Sequence, residues 1–103
     1  MWVKRVPFGR GRHDYLTDAL TLLPGWTREG ERIRRTLSID DSQHAALTER
    51  VKVVADALHL RPEINRRADQ TEIRVGHDTV ALTEGEVLLA ARIEDAYRAV
   101  TEP

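Results

Sequence analysis

Three pieces of sequence decide the fold: Val54-Ala55-Asp56-Ala57-Leu58-His59-Leu60-Arg61-Pro62-Glu63-Ile64, then Thr71-Glu72-Ile73-Arg74-Val75-Gly76-His77, then Leu82-Thr83-Glu84-Gly85-Glu86. The first closes a helix near His59, because the residue before Pro62 is pushed out of the helical region. Ile64 to Ala68 and Thr71 to His77 read as two strands of a hairpin separated by Asp69-Gln70, with Ile73, Val75 and His77 on one face of the second. The third piece is a capping box that opens a new helix. The Thr83 hydroxyl accepts from the Glu86 backbone, and the Glu86 carboxylate accepts in return from the N-cap amide. If the protein has a chemical site, it lies in this region, where a helix end, a proline, a strand-end histidine and a capped helix follow one another.

Upstream, the Ser38 to Asp41 cluster starts the helix that ends at His59, with Leu47, Val51, Val54, Ala55 and Leu58 along one face. Ile33, Leu37 and Ile39 alternate with polar residues as in a half-buried strand. Arg35 shares their inward parity, so either its stem lies along the sheet edge or it meets a partner acid. Glu29-Gly30-Glu31 offers a hairpin corner, and Trp26 follows the breaker Pro24-Gly25 directly. Before that breaker, Asp14 can cap a helix carrying Leu16, Ala19, Leu20 and Leu23 at i, i+3, i+4 and i+7. Downstream, Leu89, Ile93, Ala96 and Val100 form the stripe of a last helix. The expected fold is α+β: an αββαββα two-layer sandwich, with a four-stranded antiparallel sheet and helices on one face.

At 103 residues one domain is expected, with residues 1–13 as a basic N-terminal arm and 14–103 as the folded unit. The arm holds Lys4, Arg5, Arg10 and Arg12 with Trp2 and Phe8 interleaved; a solvated tail is the simpler reading, and phosphate contact the alternative. A net charge of −1 argues against a general nucleic-acid binder. The 41% hydrophobic and 32% charged composition, short apolar runs and absence of a secretory pattern after Met1 predict a cytoplasmic protein without membrane spans. With no cysteine, thiol catalysis, disulfides and thiolate metal sites are excluded. The four histidines show no i, i+4 pair, so no metal site is expected. His13 and His44 read as exposed and without partners.

Leu22-Leu23-Pro24-Gly25-Trp26, Ile33-Arg34-Arg35, Ala55-Asp56-Ala57-Leu58, Pro62-Glu63-Ile64, His77-Asp78 and Leu82-Thr83 with Glu86 together resemble the pterin-4a-carbinolamine dehydratase family. The resemblance runs from about Leu16 into the last helix. It implies a hydro-lyase that removes water from a 4a-hydroxytetrahydropterin, a reaction for which histidine is suited as acid and base. No cofactor is implied. It also implies a homodimer joined sheet edge to sheet edge, or a homotetramer, and relatives that serve as assembly factors or transcriptional cofactors.

Position by position, Asp56 matches the first motif acid, Pro62 the motif proline, His77 the third histidine, Glu86 the final acid and Trp26 the tryptophan near the pterin. The motif's histidine pair falls on Leu60 and Arg61, with His59 one residue too early. Leucine exchanges no proton, and arginine stays charged and only donates. The expected roles are therefore His77 as acid/base with Asp56 and Glu86 orienting, and Arg61 binding an anionic part of a pterin or other heterocycle, with Arg66, Arg67 and Arg74 as candidate neighbours. Trp26, His59 and Pro62 complete the ligand-binding set.

Each role has a plainer counterpart. His77 could be a satisfied histidine on the inner sheet face, Glu86 a cap alone, Trp26 a core plug, and Arg61 a surface partner of Asp56 or Glu63. A protein-binding scaffold without chemistry is the alternative to an enzyme.

Overall fold

The computed structural model describes residues 20–77 and 82–102. The basic arm, His13, the first helix from Asp14 through Ala19, and Asp78 lie outside the described residues. Leu20 and Thr21 have helical backbone, and the chain then turns through Pro24-Gly25 as expected. The elements that follow are β1 (Trp26–Glu29), β2 (Arg32–Ser38), α1 (Asp41–Ala57), β3 (Glu63–Arg67), β4 (Gln70–Val75) and α2 (Glu84–Thr101). The four strands form one antiparallel sheet in the order β1-β2-β4-β3. Two hairpins laid side by side give this order, with β2 and β4 central.

Strand alternation sorts the sheet into two unlike faces. Ile33, Leu37, Ile73 and Val75 point inward and meet Leu47, Val51 and Ala55 of α1 and Leu89, Ala90, Ile93 and Ala96 of α2 in one core. Of the expected α1 stripe, Val54 and Leu58 pack at its margin. The outer face is ionic. Arg34 lies 3.4 Å from Glu29 and 3.7 Å from Glu72, while Arg74 lies 3.0 Å from Glu29 and 3.2 Å from Glu72. The hydrogen bond to Glu29, aided by the charges of Glu72 and Glu63, raises the Arg74 pKa above the usual arginine value.

Two inward-facing polar clusters interrupt the core. Arg35 meets a partner acid: its Nε donates to Glu94 Oε2 at 2.9 Å, and Trp26 Nε1 donates to the same oxygen at 2.9 Å. Trp26 is 7% exposed and belongs to the core, the plug arrangement. The second cluster corrects the expectation for His44. Its Nδ1 lies 2.8 Å from the hydroxyl of the fully buried Thr71, which also accepts from Arg66 Nη1 at 3.0 Å. His44 sits on the first turns of α1, above β4, a tertiary pairing that no local sequence pattern encodes.

Both helices start at capping boxes. Asp40 caps α1, accepting from the Gln43 backbone at 2.7 Å while Gln43 Oε1 accepts from Asp40 N at 3.0 Å. Thr83 and Glu86 cap α2 as the sequence predicts. No helix among the described residues is long and apolar enough to cross a membrane.

Candidate functional site

The geometry begins at the C-terminus of α1. His59 adopts a left-handed backbone, φ 58°, its N–H donates to Asp56 O at 3.1 Å, and Leu60 N–H donates to Ala55 O at 2.9 Å. These two bonds form a Schellman cap, with His59 in the place most often given to glycine. The cap reverses the chain and sends Leu60, Arg61 and Pro62 past the helix end toward β3. His59 itself is exposed and lines neither of the depressions formed there.

Leu60, Arg61 and Pro62 form the ridge between two depressions. On one side, with the Val75–His77 end of β4 and with Glu86 and Leu89 of α2, they enclose a notch of about 20 Å³, the size of one water. On the other side, α1 and Ile64 of β3 bound a cleft of about 310 Å³ that contains Asp56. This cleft lies at the lower end of the range that takes small organic ligands.

His77 reaches the notch because β4 stops early. Gly76 takes φ 115°, a conformation open to glycine, and breaks the strand alternation after Val75. His77 is therefore not on the inner face with Ile73 and Val75, as period two predicted; its side chain is 67% exposed at the rim. A Cβ at position 76 would stand 2.9 Å from Leu82 Cδ1 and 3.2 Å from the Glu31 carbonyl. The bend thus has no room for a side chain.

Glu86 is 3% exposed. Its Oε1 accepts from Thr83 N at 2.8 Å and from the Thr83 hydroxyl at 3.1 Å, whereas its Oε2 lies 3.7 Å from His77 Nε2. One oxygen serves the cap and the other faces the imidazole.

Arg61 is exposed, and among the described residues it has no ion pair with Asp56 or Glu63. Glu63 is directed instead to Arg32 at 3.5 Å and Arg74 at 3.7 Å. The candidate cationic neighbours of Arg61 are committed elsewhere or line neither depression. Arg66 donates to Asp41 at 2.9 Å, Arg74 belongs to the outer face, and Arg67 lines neither.

The structure thus brings Arg61, Pro62, His77 and Glu86 together around the notch and places Asp56 one step away in the cleft. Trp26 is in neither lining and is bound to Glu94. The cleft also contains Lys52, absent from the sequence-based set. Its signal was available: Lys52 precedes Asp56 by one helical turn and so shares its face. No group of three or more potential metal ligands occurs among the described residues.

An antiparallel α+β sandwich with a histidine and a buried carboxylate at one sheet end defines the class. The family model for pterin 4 alpha carbinolamine dehydratase matches residues 11–96, and the chain belongs to that family. Among solved structures, a transcriptional coactivator/pterin dehydratase from Brucella melitensis is similar, with a TM-score of 0.73 and 21% sequence identity over 80% of this chain and 92% of that one. At this identity the likeness speaks to the fold. No curated protein matches the chain.

Proposed function

We propose that this protein is a hydro-lyase of the pterin-4a-carbinolamine dehydratase type, acting on a hydroxylated pterin or a related heterocycle. The observation that carries the reading is the pairing of a ligand-sized cleft, about 310 Å³, with a water-sized notch, about 20 Å³, across one ridge. In this reading the ring lies in the cleft and its hydroxyl is directed over the ridge toward His77. His77 exchanges the proton as water departs, Glu86 holds the imidazole, Asp56 orients the ring and Arg61 binds an anionic part of the ligand. The working form is a homodimer in the cytoplasm, joined edge to edge.

The test is dehydration of 4a-hydroxytetrahydropterin by the purified protein and by His77→Ala. A loss of about 10²-fold is expected for a general acid or base. Equal rates for the two proteins would remove the pterin form of the proposal.

A second reading is favoured by one observation: Leu60 and Arg61 occupy the ridge where the family pattern has its histidine pair. In this reading the scaffold is a catalytically inactive dimeric binding protein that serves an assembly or regulatory partner. Co-purification from the native cell decides for it if a partner is retained while both proteins above show only the uncatalysed rate.

A further inference from the structure

We propose that the cleft between α1 and β3 recognises a heterocycle carrying an anionic substituent, a phosphate ester or a carboxylate, and that Lys52 together with Arg61 forms the subsite for that substituent. This deepens the preceding reading and rests on its placement of the ring in the cleft.

Charge pairing divides the cations of the molecule into two groups. On the sheet, Arg28, Arg32, Arg34, Arg35, Arg66 and Arg74 each have an acidic partner within 4 Å. Lys52 and Arg61 have no such partner among the described residues, although Asp56 lines the same cleft and stands one helical turn from Lys52. Two unpaired cations facing one carboxylate leave the cleft with a net positive charge. Arg50 and Arg92 also lack an acidic partner among the described residues, but they rim the groove between the two helices, which shares no lining residue with the notch.

Position gives the two cations different tasks. Arg61 lines both depressions, so it borders the cleft beside Lys52 as well as the notch. Lys52 lines only the cleft, with Val51 and Ala55 beside it. A planar ring seated against the apolar walls, with its hydroxyl toward His77, leaves its substituent in the cleft, whose lining includes both Lys52 and Arg61. The planar fork of arginine suits two oxygens of one phosphate or carboxylate, and the ammonium of lysine adds a point charge without directional demand. A neutral substituent would leave both cations without use. Asp56 beside Lys52 limits the strength of the subsite, so the gain is expected to be moderate and sensitive to salt.

Three pterins serve as probes: 6-hydroxymethylpterin, its phosphate monoester and pterin-6-carboxylate. Their dissociation constants for the full chain are measured by quenching of pterin fluorescence at low and at high salt. At low salt at least one anionic probe is expected to bind about tenfold more tightly than the neutral one, a difference of about 1.4 kcal/mol. That advantage is expected to shrink in Lys52→Ala, to vanish in the Lys52→Ala/Arg61→Ala double variant, and to survive Arg92→Ala. The phosphate and carboxylate arms identify which anion the subsite prefers. Equal binding of all three probes, or an advantage that persists in the double variant, overturns the anion subsite and leaves the ring placement standing. Failure of all three to bind overturns the ring placement, and the subsite with it.

Discussion

Glu86 Oε2 stands 3.7 Å from His77 Nε2, and the other oxygen of the same carboxylate closes the N-terminal cap of α2. A single side chain thus ties a helix start to a rim histidine. The two tasks are separable by substitution. Glu86→Gln keeps an oxygen that can accept from Thr83 N and removes the charge, so stability should change by less than about 1 kcal/mol. If the carboxylate holds the imidazole during the reaction, the turnover rate should fall by about 10-fold, as expected for a lost charge-assisted contact of about 1.4 kcal/mol. Urea denaturation and dehydration kinetics on the same preparations check both halves. Parallel losses in stability and rate would identify Glu86 as a cap alone.

The frame of this site was legible because it is local. Pro62 ends a helix, Thr83 and Glu86 close a capping box, and the apolar periods of α1 and α2 place their buried faces. What escaped depends on features that sequence spacing does not carry. Period two put His77 inward, but Gly76 at φ 115° turned it to the rim. His59 was a candidate ligand because it is an imidazole near the motif, whereas its left-handed backbone gives it a capping task. His44 found Thr71 across the layer, and Trp26 found Glu94 on α2. Such pairings form only when two layers close on each other. Parity alone leaves Arg35 two alternatives, the sheet edge or an acid, and its contact with Glu94 is the second.

The Arg35–Glu94 pair gives a second prediction. Glu94 Oε2 accepts from both Arg35 Nε and Trp26 Nε1 at 2.9 Å, with the Arg35 and Glu94 side chains 20% and 14% exposed. Glu94→Ala leaves a cation and an indole N–H without their acceptor inside the sandwich. Removing one partner of a fully buried pair costs several kcal/mol, and partial exposure reduces this to about 2–3 kcal/mol. Glu94→Gln keeps the side-chain volume and an acceptor for the indole and removes only the charge facing Arg35, and should cost about 1.5 kcal/mol. The urea midpoints of the two variants test this order. A cost for Glu94→Ala no greater than that of Glu94→Gln would mean that solvent carries the pair.

Gly25 sits behind the same cluster and yields a third. It takes φ 93°, and a Cβ added there would overlap the Arg35 guanidinium. Gly25→Ala therefore meets both backbone strain and a displaced ion pair, for a loss of about 2–3 kcal/mol. In an Arg35→Ala background the steric part disappears and only the backbone part remains. The same substitution should then cost about 1 kcal/mol, and a double-mutant cycle by chemical denaturation reads the difference. Equal costs in both backgrounds would place the whole effect in the turn.

The proposed dimer makes the fourth prediction, because β3 is a sheet edge with a self-complementary sequence. Glu63-Ile64-Asn65-Arg66-Arg67, paired antiparallel with its own copy about Asn65, sets each Glu63 opposite an Arg67 of the second strand. Glu63 and Arg67 share the outer face, since their partners on β4 are Arg74 and Gln70. The Glu63 side chain is 56% exposed, and Arg67 has no acidic partner among the described residues. Cross-strand charge pairs are worth a fraction of a kcal/mol to about 1 kcal/mol each, and like charges at the same positions repel. Arg67→Glu replaces two attractions by two repulsions about the axis. Dimer affinity should fall by roughly 30-fold, about 2 kcal/mol, while the monomer, in which Arg67 makes no ion pair among the described residues, keeps its stability. Sedimentation equilibrium gives the affinity directly. An unchanged dissociation constant would move the contact away from β3, and a monomeric wild-type protein would remove the edge-to-edge dimer altogether.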